Sequence, residues 1–166
     1  LGVETAFITV PGHILVAFES ELSEEEVIRR FSRSEDFIFR GGRTWIPVEV
    51  TEIDGGFLRA WQSGARVWRE QSGAGHAALY PMHAGWAMYE PVGLPSTESF
   101  VRLPSDEEIR AAIGRQLSAL VEREVGAKIL EIRRIVEQRG QDVRLLNRIG
   151  VLYAQYGLFD RAAEEF

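Results

Sequence analysis

The sequence predicts an α+β fold: a small antiparallel sheet with packed helices, then a long helix and a helical hairpin. Three observations carry this. Residues 5–51 hold short β-branched and aromatic runs separated by Pro-Gly and Gly-Gly turns. Residues 105–140 hold one apolar stripe that recurs every three or four positions. Residues 141–166 hold a second helical pattern, broken by Gly157, with small residues at fixed offsets. The expected organisation is therefore a sheet-bearing part over 1–95, a long connecting helix within 96–140, and a truncated helical repeat over 141–166.

Taken in order, Thr5–Val10 reads as a strand. Pro11-Gly12 follows as a turn, because Pro fixes φ at one central position and Gly supplies φ > 0 at the next. His13–Glu19 then returns as the second strand of a hairpin. Ser23 and Glu26 form a capping box, which opens a short helix carrying Val27, Ile28 and Phe31 on its apolar face. The Glu24-Glu25-Glu26 run suits the positive end of the helix dipole and reads as a solvated helix start. Asp36–Arg40 reads as a strand, and Gly41-Gly42 turns the chain into a strand over Trp45–Thr51. Alternation divides that strand into Ile46, Val48 and Val50 on one face and Trp45, Pro47, Glu49 and Thr51 on the other. Pro47 cannot donate to a ladder, so the strand is expected at an edge or locally irregular.

Asp54 is expected to cap a helix on which Phe57, Leu58, Trp61, Ala65 and Trp68 recur at helical spacing. Tyr80–Pro95 is rich in aromatics, Pro and Gly, and reads as an irregular segment. Ser105 and Glu108 form a second capping box. From there Ile109, Ile113, Leu117, Leu120, Val121, Val125, Ile129, Ile132 and Val136 describe one amphipathic helix ending near Gly140. Gly114 and Gly126 each weigh against its continuity by about 1 kcal/mol. Glu124 and Lys128 are placed as an i, i+4 pair on its wet side.

Composition narrows the function. The chain has 166 residues, 45% hydrophobic and 27% charged, the balance of a soluble globular protein. A net charge of −6 with no dense Lys/Arg stripe argues against a nucleic-acid partner. No apolar run approaches the ~20 residues that span a bilayer. There is no cysteine, so neither a disulfide nor a thiolate metal site can form within these residues. The three histidines, His13, His76 and His83, match no compact metal-ligand spacing, and neither a metal nor another cofactor is expected. The chain begins in mid-pattern and stops in mid-helix, and reads as a piece excised from a longer protein.

Two stretches carry candidate chemistry. Gly12-His13-Ile14-Leu15-Val16-Ala17-Phe18 places a histidine directly after a turn, and Trp45-Ile46-Pro47-Val48-Glu49-Val50-Thr51 places a carboxylate in an apolar strand. A histidine and a carboxylate on neighbouring strands are two thirds of an acyl-transfer triad. Together the stretches resemble the C-terminal half of the transglutaminase-like superfamily core, which uses a Cys-His-Asp triad on a papain-like α+β fold. The resemblance implies that His13 is the general base and that Glu49 stands at the orienting Asp. Glu for Asp adds one methylene but keeps a hydrogen-bonding carboxylate. The nucleophilic Cys would lie upstream of Leu1, so these residues would be inactive by themselves.

Near the other end, Leu146, Ile149, Gly150, Tyr153, Gly157, Phe159, Asp160, Ala162 and Phe166 resemble the tetratricopeptide repeat. That resemblance implies further repeats and a protein or peptide partner. Other readings stay open. His13 fits a structural histidine at a strand start, and Glu49 fits a solvent-facing residue on an edge strand. Trp61, Trp68, Trp86, Tyr80 and Tyr89 fit either a peptide cleft or, for the two on the predicted helix, the core. The alternative to an enzyme fragment is a protein-binding scaffold with a degenerate transglutaminase-like fold. An excised half-domain exposes apolar surface, so self-association between copies is expected.

Overall fold

Hydrophobic alternation and tight turns build the first half of the chain into one sheet. The computed structural model describes residues 2–88, 90, 104–140 and 142–165, in an α+β fold. The described residues form two compact units, divided between Leu103 and Pro104. In the first, strands β1 (Thr5–Val10), β2 (His13–Ser20), β3 (Ile38–Arg40), β4 (Arg43–Val48) and β5 (Ala78–Pro81) form an antiparallel sheet in the order β3-β4-β2-β1-β5. The hairpin β1–β2 closes with Val10 opposite His13, and Gly12 takes φ +72° in its turn. The hairpin β3–β4 closes with Arg40 opposite Arg43, and Gly41 and Gly42 both have positive φ, as a two-residue hairpin loop demands.

Register sorts the side chains. Odd residues of β2 and β4 share a face with even residues of β1. On it Ala6, Ile8, Leu15, Ala17, Ile38, Trp45 and Leu79 make the core, with Val67 and Trp68 packed against them. The Trp45/Pro47 set of β4 therefore faces the core, and Val50 is exposed. Val67 and Trp68 belong to helix α2, Phe57–Gly73. A second aromatic group, Phe31, Phe37, Phe57 and Trp61, packs edge-on and tilted around the same helix, and Trp61 Nε1 donates to the Asp36 carbonyl at 2.7 Å.

Proline at position 47 has a structural reason. β3 reaches only to the partner of Trp45, so Pro47 lies where β4 has an open side. Two residues on, the Glu49 N–H donates to Ala60 O of α2 at 3.0 Å. The same side of the chain at Pro47 needs no donor, because α2 comes up against it at Gly64. A Cβ there would sit 2.8 Å from Pro47 O and 2.9 Å from Val48 N. Strand and helix thus approach through one residue without an N–H and one without a side chain.

Several local expectations are corrected. The strand expected over Trp45–Thr51 stops at Val48, and a 3₁₀ segment, Val50–Gly55, follows. Asp54 lies inside that segment, and Gly56 is the N-cap of α2. The strand expected from Asp36 covers only Ile38–Arg40, since Ser34–Asp36 is a 3₁₀ turn. Helix α1, Glu24–Arg30, has its capping box and buries Val27, but Ile28 is exposed. The segment read as irregular from Tyr80 contains the end of β5 and helix α3, Met82–Met88; Tyr89 and residues 91–95 lie outside the described residues.

The second unit is helical. Its long helix α4, Asp106–Arg139, starts at the Ser105–Glu108 capping box and passes through Gly114 and Gly126 without a break. Helices α5 (Val143–Gln155) and α6 (Phe159–Glu164) form a hairpin, with Gly157 at φ +73° between them. Val121, Val125, Ile129 and Ile132 of α4 pack with Ile149 of α5, and Leu117, Val136, Leu145, Leu152, Tyr153 and Tyr156 surround them. Ile109 and Ile113, at the start of the stripe, are exposed. Gly150 and Ala162 are buried, as close approach of α5 and α6 requires; Phe166 lies outside the described residues. Glu124 is not on the wet side. It is buried and accepts from Arg123 Nε at 2.7 Å. Among the described residues no helix is long and apolar enough to cross a membrane.

Candidate functional site

The β1–β2 turn delivers His13 to the first position of β2, on the face that also carries Leu15 and Ala17. Glu49 follows β4 one residue beyond its last pair with β2, Val16 with Val48. Antiparallel pairing therefore brings together two residues 36 positions apart: His13 Nε2 lies 2.6 Å from Glu49 Oε2. The pair has an inner and an outer member. The Glu49 side chain is 7% exposed and that of His13 is 41% exposed.

Backbone geometry fixes the glutamate. Glu49 caps the 3₁₀ segment, and its Oε1 accepts from the Thr51 N–H at 3.1 Å and from the Thr51 hydroxyl at 2.6 Å. Burial pushes the Glu49 carboxyl up. The hydrogen bond from the Thr51 hydroxyl, then those from His13 and the Thr51 N–H, outweigh it and hold the group below the ordinary glutamate value of 4.5. Glu49 is thus an ionised acceptor at neutral pH. A carboxylate can only accept, so His13 Nε2 must carry the hydrogen in this contact. In the neutral ring Nδ1 is then the basic nitrogen.

The other candidates are not drawn to this pair. His83 Nε2 lies 3.5 Å from Glu4 Oε2, and its ring meets Trp86 edge-on at 5.2 Å. The backbone of His76 closes the end of α2 by donating to Gln71 O. Among the described residues no three His, Cys, Asp or Glu are grouped to hold a metal. Trp61 is a buried core residue, and Trp68 is half-buried and packs on the core. Tyr80 stacks on Phe7 at 5.3 Å, and Trp86 is exposed.

Thr51 is the site residue that pattern reading left without a role. Its signal was the Glu-x-Thr spacing, since a side chain that accepts from the backbone two residues on is a local turn device. No protein-family model, curated protein or solved structure matches this chain.

Proposed function

We propose that His13 and Glu49 are the base and the orienting carboxylate of a transglutaminase-like, cysteine-dependent acyl-transfer or peptidase-type site. The thiol would come from a longer protein of which these residues are a part. The observation that carries this is the 2.6 Å contact between His13 Nε2 and a buried, ionised Glu49. The carboxylate holds the ring's tautomer and orientation, as triad chemistry requires. Nδ1 would take the proton of the incoming thiol. The thiolate would attack an amide or ester carbonyl, and the His13 imidazolium would return its proton to the leaving amine or alcohol. Water then releases the acyl group as an acid, or an amine takes it in transfer. Without the thiol the 166 residues are inactive alone. The α5–α6 hairpin, with Gly150 and Ala162 at its close approach, supports a tetratricopeptide-type role in holding a protein or peptide partner.

A second reading is favoured by the absence of cysteine from the sequence. In it the fold is a protein-binding scaffold and the His13–Glu49 pair is a relic. Thiol-probe labelling of the full-length protein, with the labelled peptide located by mass spectrometry, separates the two. The acyl-transfer reading expects one cysteine to label rapidly near neutral pH and to slow in His13→Ala and Glu49→Gln. No selectively reactive cysteine, or labelling indifferent to both changes, leaves the scaffold.

A further inference from the structure

Glutamate is an awkward choice for an orienting carboxylate. It has one more rotatable bond than aspartate, so its acid group has more positions to choose from. In this chain the extra length is folded back. Oε1 of Glu49 takes both the N–H and the hydroxyl of Thr51, two residues on, and Oε2 is left facing His13 Nε2 at 2.6 Å. The 2.6 Å bond from the hydroxyl is the shorter of the two from Thr51. Thr51 itself is exposed and stands at the start of the 3₁₀ segment that Glu49 caps.

We infer that Thr51 is a positioning residue: its hydroxyl pins one oxygen of Glu49 so that the other holds the Nε2–H tautomer of His13 and leaves Nδ1 as the base. This rests on the reading of His13 as a base, and it gives the outermost member of a relay that runs Thr51, Glu49, His13. The N–H of Thr51 alone caps the segment, so the hydroxyl is separable from the structural role. Removing it leaves Oε1 held only by the longer Thr51 N–H bond, at 3.1 Å, and loosens the carboxylate about its longer side chain. The neutral imidazole then loses the partner that selects between its two tautomers.

The test uses this chain as it stands. Long-range proton–nitrogen correlation spectra, recorded at a pH where the rings are neutral, read the tautomer of each histidine ring, and His76 and His83 serve as internal references for an intact fold. Wild type and Thr51→Ser should show His13 with a protonated Nε2 and an unprotonated Nδ1. Thr51→Val and Thr51→Ala should show the two ring nitrogens shifted towards one another, as a mixture of tautomers gives, with His76 and His83 unmoved. A wild-type His13 that is already mixed, or protonated on Nδ1, would overturn the inference. So would hydroxyl-free variants that fold and keep the wild-type His13 pattern. The readout needs no thiol. Should labelling of the full-length protein find no reactive cysteine while the tautomer follows Thr51, the acyl-transfer reading falls and the positioning relay stands.

Discussion

Two glutamates are buried among the described residues, one in each unit, and they are satisfied in opposite ways. Glu124 of α4 is paired with Arg123, its neighbour in sequence. Glu49 is paired with His13, 36 residues away, across a strand pairing. A buried carboxylate demands partners in either setting. The adjacent arginine is a permanent cation with no proton to exchange near neutral pH, so that pair is a structural solution. The distant histidine has a second nitrogen left over, so the same requirement leaves a group that can move protons. In the sheet unit Glu49 is thus held by a residue distant in sequence, whereas in the helical unit Glu124 is paired with its sequence neighbour.

The largest effect expected from breaking this contrast is in the helical unit. Glu124→Ala removes the buried carboxylate beside the largely buried Arg123 guanidinium, at a cost of about 3 kcal/mol in chemical denaturation. A cost within a few tenths would mean that Arg123 simply turns to water. Next is Gly64→Ala in the sheet unit. Helix propensity alone predicts a gain of about 1 kcal/mol. The added Cβ would meet Pro47 and Val48 backbone under 3 Å, and overpacking of that kind costs roughly 2 kcal/mol or more. The sign of the change decides whether local or tertiary rules govern α2.

A smaller effect sharpens the electrostatic side. The folded-state pKa of Glu49 lies below its unfolded value, so its contribution to stability is fully present above that unfolded value, near 4.5. It is lost as pH falls through the folded value. The gap in Tm between wild type and Glu49→Gln should be widest near neutral pH and close in acid. A gap that stays constant below pH 4 would mean the carboxylate is not held in its charged form. The smallest effect is Ser105→Ala, which removes one exposed cap of α4 and should cost about 1 kcal/mol in the same assay.

The same contrast explains what could be read from sequence. α4 was legible from end to end, because its hydrogen bonds close within four residues and Ser105 with Glu108 marks its start. The Pro11-Gly12 and Gly41-Gly42 turns were legible because proline pre-sets φ and glycine takes the positive φ a tight turn needs without strain. The end of β4 was not. Alternation continues through Glu49 to Thr51, but the Glu49 N–H goes to Ala60 of α2 and its side chain to Thr51, and both end the strand. The burial of Glu124 escaped for a related reason: Lys128 sits at the expected i, i+4 offset, yet packing of α5 on α4 turned that stretch of the helix inward. Of the site, both His13 and Glu49 were visible as residues. Their contact depended on strand register, and Thr51 became visible only as the donor that holds Glu49.

The most direct test of the central claim, that His13 and Glu49 act as one unit on a thiol, is a double-mutant cycle in the full-length protein. The rate of alkylation of the reactive cysteine near neutral pH would be measured for wild type, His13→Ala, Glu49→Gln and the double variant. Groups that act as a unit are non-additive. The double variant should therefore be no slower than His13→Ala alone, with both single variants slowed. Two independent, additive losses, or a Glu49→Gln variant as fast as wild type, would contradict the account.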